Sequence, residues 1–384
     1  MISFIEEKKG LTLDDDYASG AKIKVVGVGG GGGNAINRMI NAGLRGVEFI
    51  AANTDLQVLK QNEAPIKIQL GSKLTKGLGT GYDPELGMRS ALEDVDRIMD
   101  ALDGADMVFV TAGMGGGTGT GGAPVFCQLA NSLGALTVAV VTTPFKFEGK
   151  KRMRISSEGI RNLKECVDTV ITIPNEKLLS ITEENTPMVE AFRIADEVLL
   201  HAVRGISDLI TTPGFINLDF SDVRRVMEGR GMALMGTGIG TGENRAIEAV
   251  QQAISNPLLE ETSIRGAKGI LVNITMGEDI SMREVGEAME LVENQADAEC
   301  DIIFGQVFDK NMKGKMKVTV IATGFSPKTN YNDERVTWVD FQESDPERRK
   351  QVVNAEIRSF GSFYNESVNE EELDVPTFIR KQAD

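Results

Sequence analysis

The sequence predicts an α/β protein in which a parallel sheet, covered on both faces, is joined through one long helix to a second α+β domain. Three observations predict it. Short, nearly continuous apolar runs alternate with helical patterns from Ala21 onward, as in a sheet buried on both sides. Two glycine-rich turns each follow such a run and precede a helix. The segment 187–212 carries Val189, Phe192, Leu199, Val203, Ile206 and Ile210 at spacings of three, four and seven, and Pro213 and Gly214 follow it. That is one face of a long helix and its stop signal.

In chain order, residues 1–20 are polar, with acids at Asp14, Asp15 and Asp16, and read as a flexible arm. IKVVGVG, a helix over 34–42 and VEFIAANTD open a βαβ unit. ADMVFVTAG, a helix over 124–132, LTVAVVTTP, a helix over 156–166 and TVITIPN extend it to a domain over 21–186. Past the central helix, helices over 221–228, 243–255 and 281–297 accompany the strand-like runs MALMGTG, GILVNITM, CDIIFGQVF and KMKVTVIATG, a separate domain over 213–325. The stretch 326–373 loses apolar periodicity and reads as an acidic linker, though VTWVDF and IRSFGSFY within it carry aromatics able to pack on a domain. The closing segment, beginning at Asp374 and ending at Asp384, gathers Val375, Pro376, Phe378 and Ile379 beside Arg380 and Lys381. It is too short to insert into a membrane but suits the groove of a partner protein.

A net charge of −16 opposes a broad grip on nucleic acid or an anionic membrane. Cys127, Cys166 and Cys300 form no CxxC pair, which fits a reducing compartment. The first residues lack the basic and apolar regions of a signal peptide, and no run of eighteen apolar residues occurs, so a cytoplasmic protein is expected. The single histidine, His201, lies within the central helix away from other metal ligands and reads as a packing residue.

In the first turn, GVGGGGGNA, Gly27, Gly29 and Gly32 satisfy GxGxxG between a strand and a helix, a Rossmann-like feature. Either a tight turn or an anion cradle of backbone amides accounts for it. The second turn, GMGGGTGTGGAP, runs from Gly113 through Thr118 and Thr120 to Pro124 and repeats the arrangement with two hydroxyls added. Together they suit a polyphosphate. No GxxxxGK[ST] occurs, so backbone dipoles must do most of the holding. A nicotinamide-dependent dehydrogenase would also use GxGxxG, with Asp55 near the spacing of a ribose ligand. The second glycine turn and the lack of a histidine placed for hydride transfer weigh against it.

Asp196 follows Phe192 by four residues and intrudes on the apolar stripe. One carboxylate accepts both guanine donors, N1–H and the exocyclic amine, while a phenyl ring stacks on the base. An aspartate reaching water or a nearby arginine is an equal reading of the residues alone.

GGGTGTG resembles the phosphate loop of the tubulin/FtsZ superfamily, and the likeness extends to GVGGGGGNA, NTD at Asn53, PFKFEGKKR at Pro144, NLDFSD at Asn217 and the terminal IRKQAD. The resemblance implies a tubulin/FtsZ-like fold, a GTPase acting on GTP to give GDP with Mg²⁺, and head-to-tail filaments in a mid-cell division ring. It also implies that the terminal peptide recruits membrane-tethering and regulatory division proteins. By the same likeness, Gly30, Gly31, Gly32 and Asn34 line the first loop, and Gly117, Thr118 and Gly119 clasp phosphates. Glu148 and Arg152 meet the ribose and phosphates, although EGKKRMR by itself reads as a solvated basic run. Asn175, otherwise an ordinary strand-end residue, meets the sugar and base, and Phe192 and Asp196 read guanine.

The likeness assigns Asn217, Asp219 and Asp222 to the attacking water and the cation, whereas the residues alone suggest a helix cap at Ser221 or Asp219. Sixteen residues from Asp196 to Thr212 span about 24 Å of helix, which points these acids away from their own nucleotide and toward a neighbour's. A filament scaffold that binds GTP without turnover is the rival within this family; it has no need of Asp219 and Asp222.

Overall fold

The computed structural model describes residues 20–179, 186–212, 218–259 and 264–325. The expected arm, linker and terminal peptide, and Asn217, lie outside them. The first half comprises β1 (Ile23–Val28), α1 (Gly29–Asn41), β2 (Val47–Asn53), α2 (Leu56–Gln61), β3 (Ile66–Gln69), α3 (Ser72–Thr75), α4 (Pro84–Glu93), α5 (Val95–Leu102), β4 (Met107–Gly113), α6 (Thr118–Ser132), β5 (Leu136–Thr143), α7 (Lys150–Lys164), β6 (Thr169–Pro174) and α8 (Asn175–Leu178). Then follow α9 (Met188–Thr211), α10 (Phe220–Met227), β7 (Gly231–Thr241), α11 (Arg245–Ile254), β8 (Gly269–Met276), α12 (Met282–Glu293), β9 (Asp301–Phe308) and β10 (Lys315–Thr323).

One sheet orders these strands β3-β2-β1-β4-β5-β6-β7-β10-β8-β9. The first six are parallel in the doubly wound order 3-2-1-4-5-6. β1 is buried along its whole length and β4 up to Gly113, as the continuous apolar runs require. β7 continues the sheet by a short parallel pairing of Thr169, Val170 and Ile171 with Gly231, Met232 and Ala233. β10 then runs antiparallel to both β7 and β8.

α9 packs Leu199, Leu200, Val203, Ile206 and Leu209 into a core shared with Ile171, Met235 and Ile303. The start of the expected stripe departs from this. Val189 is 79% exposed and Phe192 37%, so the first turns of α9 project beyond the core.

Three helices begin earlier than their sequence patterns suggest: α1 at Gly29, α6 at Thr118 and α7 at Lys150. Glycine costs roughly 1 kcal/mol per residue against alanine inside a helix, so propensity places the start after the glycines. In α1 and α6 the structure instead makes the glycines part of the first turns, whereas α7 opens on Lys150 directly after Gly149. Pro124, expected to open its helix, lies inside α6. The segment 56–102, to which the apolar pattern assigns no element, holds β3 and four short helices. Its starts are legible as caps. Asp55 accepts hydrogen bonds from the amides of Gln57 and Val58, and Asp83, followed by Pro84, from those of Glu85 and Leu86. Asp55 is thereby committed as a cap.

Candidate active site

β1 and β4 are hydrogen-bonded neighbours with Ile23 opposite Met107 and Val28 opposite Ala112. Both glycine turns therefore leave the same, carboxyl edge of the sheet, where the strand order reverses, which is where open α/β sheets bind ligands.

The glycines divide into two kinds. Most permit close packing. A Cβ on Gly27 would lie 2.4 Å from the Gly32 carbonyl oxygen, and one on Gly32 2.4 Å from that of Thr111. A Cβ on Gly29 would lie 2.9 Å from the Gly119 nitrogen, and one on Gly31 3.1 Å from Gly113, so the two turns touch backbone to backbone. Gly117 is held against Thr80 and Asp83, and Gly121 against Pro84. Gly30 and Gly116, one in each turn, face open space. These two leave bare backbone for an incoming anion, Gly30 within the first turn of α1 and Gly116 just ahead of Gly117, the cap of α6, beside helix-start amides.

Hydroxyls converge beside them. Thr118 Oγ1 lies 2.6 Å from Thr54 Oγ1 and 3.3 Å from Thr80 Oγ1. Thr120 Oγ1 accepts the Gly115 amide at 2.9 Å and so shapes the turn from within. Thr54 and Thr80 escaped the sequence reading. Thr54 belongs to the NTD motif, but nothing local marks Thr80.

A second wall comes from β5, β6 and α9. Phe145 is fully buried, stacks on Phe147 with ring centres 5.0 Å apart and meets Phe192 edge-on at 5.2 Å. The Glu148 carboxylate accepts the Phe145 amide at 2.9 Å and pairs with Arg152, so these two are more than a solvated run. Asn175 opens α8 and is 5% exposed with no partner on Oδ1, leaving an acceptor for a ligand N–H or hydroxyl. Burial pushes the Asp196 carboxyl up to about 7, partly opposed by the Arg38 guanidinium. Asn34 and Arg38 are one turn apart on α1; Asn34 is exposed, and Arg38 pairs with Glu197 at 3.6 Å.

Asp219 and Asp222 are elsewhere. Asp219, one of the two caps, Ser221 or Asp219, that the residues alone offered, caps α10 by accepting the Asp222 amide at 2.9 Å. Arg224, on the same helix, donates to the carbonyl oxygen of Gly134, which precedes β5. α10 thus lies at the amino edge of the parallel strands, opposite the glycine turns. Among the described residues no group of three or more His, Cys, Asp or Glu is placed to hold a metal, and no helix is long and apolar enough to cross a membrane.

Residues 22–183 match the family described as "Tubulin/FtsZ family, GTPase domain", and residues 231–326 match "FtsZ family, C-terminal domain". The chain belongs to the Tubulin/FtsZ family. It carries that family's GTPase domain and is a GTPase. The cell division protein FtsZ of Pseudomonas aeruginosa is 50% identical over 375 residues, covering 97% of this chain and 92% of the relative. That of Azotobacter vinelandii is 47% identical over 395 aligned positions, covering 97% and 99%. The solved structure titled "FtsZ dimer, empty (M. jannaschii)" superposes with a TM-score of 0.76 at 44% identity over 80% of this chain and 90% of that one. CetZ1 from Haloferax volcanii, at 20% identity and a TM-score of 0.69 over 79% of this chain and 94% of its own, shares the Tubulin/FtsZ fold. This membership rules out a nicotinamide-dependent dehydrogenase.

Proposed function

We propose that the protein is a cytoplasmic, filament-forming GTPase of the cell-division ring, and that each hydrolytic site is completed by the neighbouring subunit. The observation that carries this reading is that the glycine turns and the acids at the start of α10 lie on opposite edges of one sheet. The glycine turns lie at the carboxyl edge, while Asp219 and Asp222 open a helix packed at the amino edge. Head-to-tail stacking sets one edge on the other and propagates without closing. The name and title of the relatives, cell division protein and FtsZ dimer, support the same reading.

In the proposed site, Gly30, Gly31, Gly32 and Asn34 with Gly117, Thr118 and Gly119 hold the phosphates. Glu148, Arg152 and Asn175 meet the ribose and its surroundings, and Phe192 and Asp196 read guanine. From the adjoining subunit, Asp219 and Asp222, with Asn217, polarise the attacking water and help organise the cation beside the terminal phosphate, Asp219 also capping α10. Mg²⁺ would be held chiefly by phosphate oxygens and water, which suits a lining of amides and hydroxyls. Domains over 21–186 and 213–325 joined by a central helix over 187–212, and a terminal peptide for membrane-tethering division proteins, complete the proposal. Sedimentation with GTP or ATP, with phosphate release measured in parallel, tests it. GTP-selective pelleting, with release per molecule rising above an assembly threshold, is expected. Pelleting without phosphate release would favour a scaffold, and constant specific activity down to monomer concentrations would place catalysis within one chain.

Asp196 provides a second expected result. With its carboxyl at about 7, the ionised form that accepts both guanine donors is lost as pH falls below that value. GDP affinity is therefore expected to drop by up to about tenfold per pH unit below neutrality and to level off above it. Asp196→Asn should bind weakly and lack this step, while any contribution from phosphate protonation stays common to both proteins. Parallel pH profiles of GDP titrations in parent and variant would contradict the guanine assignment.

A further inference from the structure

We propose that Tyr82 is a positioning residue of the phosphate site that holds the Arg152 guanidinium at the mouth of the second glycine turn. This rests on the proposed reading of that turn as the phosphate cradle. Arg152 Cζ lies 4.5 Å from the centre of the Tyr82 ring, a cation–π contact. The backbone at Tyr82 has φ +67°, in the left-handed region that suits glycine or asparagine and disfavours a bulky aromatic. A ring that is 55% exposed contributes little core packing in return.

The residues around Tyr82 are fastened to the same turn. Thr80 Oγ1 lies 3.3 Å from Thr118 Oγ1, and the Asp83 carbonyl oxygen would lie 2.7 Å from a Cβ on Gly117. Arg152 is fastened to it as well, since its carbonyl oxygen would lie 2.8 Å from a Cβ on Gly115. Its guanidinium then has two supports, the Glu148 carboxylate and the Tyr82 ring. Arg152 is long and flexible, and these supports restrict it before any ligand arrives, which lowers the ordering cost of binding an anion. A smaller turn residue would satisfy the backbone equally well without supplying the ring.

The test is titration of GTP into protein kept below its assembly threshold, beside thermal melts. Arg152→Ala is measured first and is expected to weaken GTP binding. Unchanged affinity would overturn the phosphate-site reading of Arg152, and with it this proposal. Tyr82→Phe, which keeps the ring, should bind within about twofold of the parent. Tyr82→Asn, which suits the left-handed backbone, should melt at or above the parent temperature yet bind GTP about three- to fivefold more weakly. In an Arg152→Ala background, Tyr82→Asn should cost nothing further. If Arg152→Ala weakens binding but Tyr82→Asn binds as tightly as the parent, or loses the same factor with or without Arg152, the positioning role is wrong while the phosphate-site reading stands.

Discussion

Replacing Asp222 by alanine is expected to leave GTP binding and GTP-dependent sedimentation in place while slowing phosphate release by about a hundredfold or more. Removing a group that positions and deprotonates the attacking water costs about 10²–10⁴ in rate. Binding survives because the glycine turns lie at the opposite edge of the sheet from α10. The amide of residue 222, which the Asp219 cap uses, is unchanged by the substitution. Longer-lived polymers should follow, since hydrolysis would no longer weaken the contact.

Complementation is the decisive form of the experiment. Gly30→Glu, which disables the pocket, and Asp222→Ala, which disables the acidic loop, should each be nearly inactive alone. Mixed in equal amounts, about one interface in four of a random copolymer would join an intact pocket to an intact loop, and activity should reappear. No recovery in demonstrated copolymers would mean that each chain completes its own site.

The second large effect separates the two kinds of glycine. Gly30 faces open space, so Gly30→Glu should fold with little change in melting temperature; a carboxylate in the first turn of α1 even suits the helix dipole. The same carboxylate would occupy and repel the phosphate position, and GTP affinity is expected to fall by roughly a hundredfold or more. Gly121→Ala should behave in the opposite order. Its Cβ would stand 1.9 Å from the Pro84 carbonyl oxygen and 2.7 Å from the Met88 nitrogen, and neither is a flexible side chain able to move aside. α4 must shift off α6, at a cost of about 1–3 kcal/mol or more. Because Thr80 and Asp83 lie just ahead of α4 and press on Gly117, the shift should loosen the turn and weaken GTP as a consequence of lost stability. Melting curves beside nucleotide titrations check both variants. A Gly121→Ala protein as stable as the parent, or a Gly30→Glu protein that binds GTP normally, would reverse the assignment of packing and ligand-facing glycines.

Much of this was present in the residues themselves. The apolar runs behind β1, β4 and β5 could be read directly, because a strand buried on both faces must be apolar at nearly every position. So could α9 as a long helix, because a stripe at helical spacings is a local property of the chain, although its first turns do not bury theirs. The glycine segments could be read as strand-to-helix connections, and a helix cap could be placed at Ser221 or Asp219, of which the structure uses Asp219. Tertiary structure decided what was not local. Which glycines pack and which face a ligand depends on the approach of α4 to α6 and of one turn to the other. Thr80, Tyr82 and Arg38 come beside the candidate site only because distant segments are folded against it; Thr80 meets Thr118 from 38 positions away. α1 and α6 start among the glycines because the turns are packed into place, which outweighs a propensity cost of roughly 1 kcal/mol per residue. The separation of the acids from the cradle was suggested by helix length, but their placement at opposite edges of the sheet depends on strand order and on the contact of α10 with Gly134. Periodicity records what each residue requires of its immediate surroundings, whereas a site is made by close approaches between segments, and those are settled by the packing of the whole sheet.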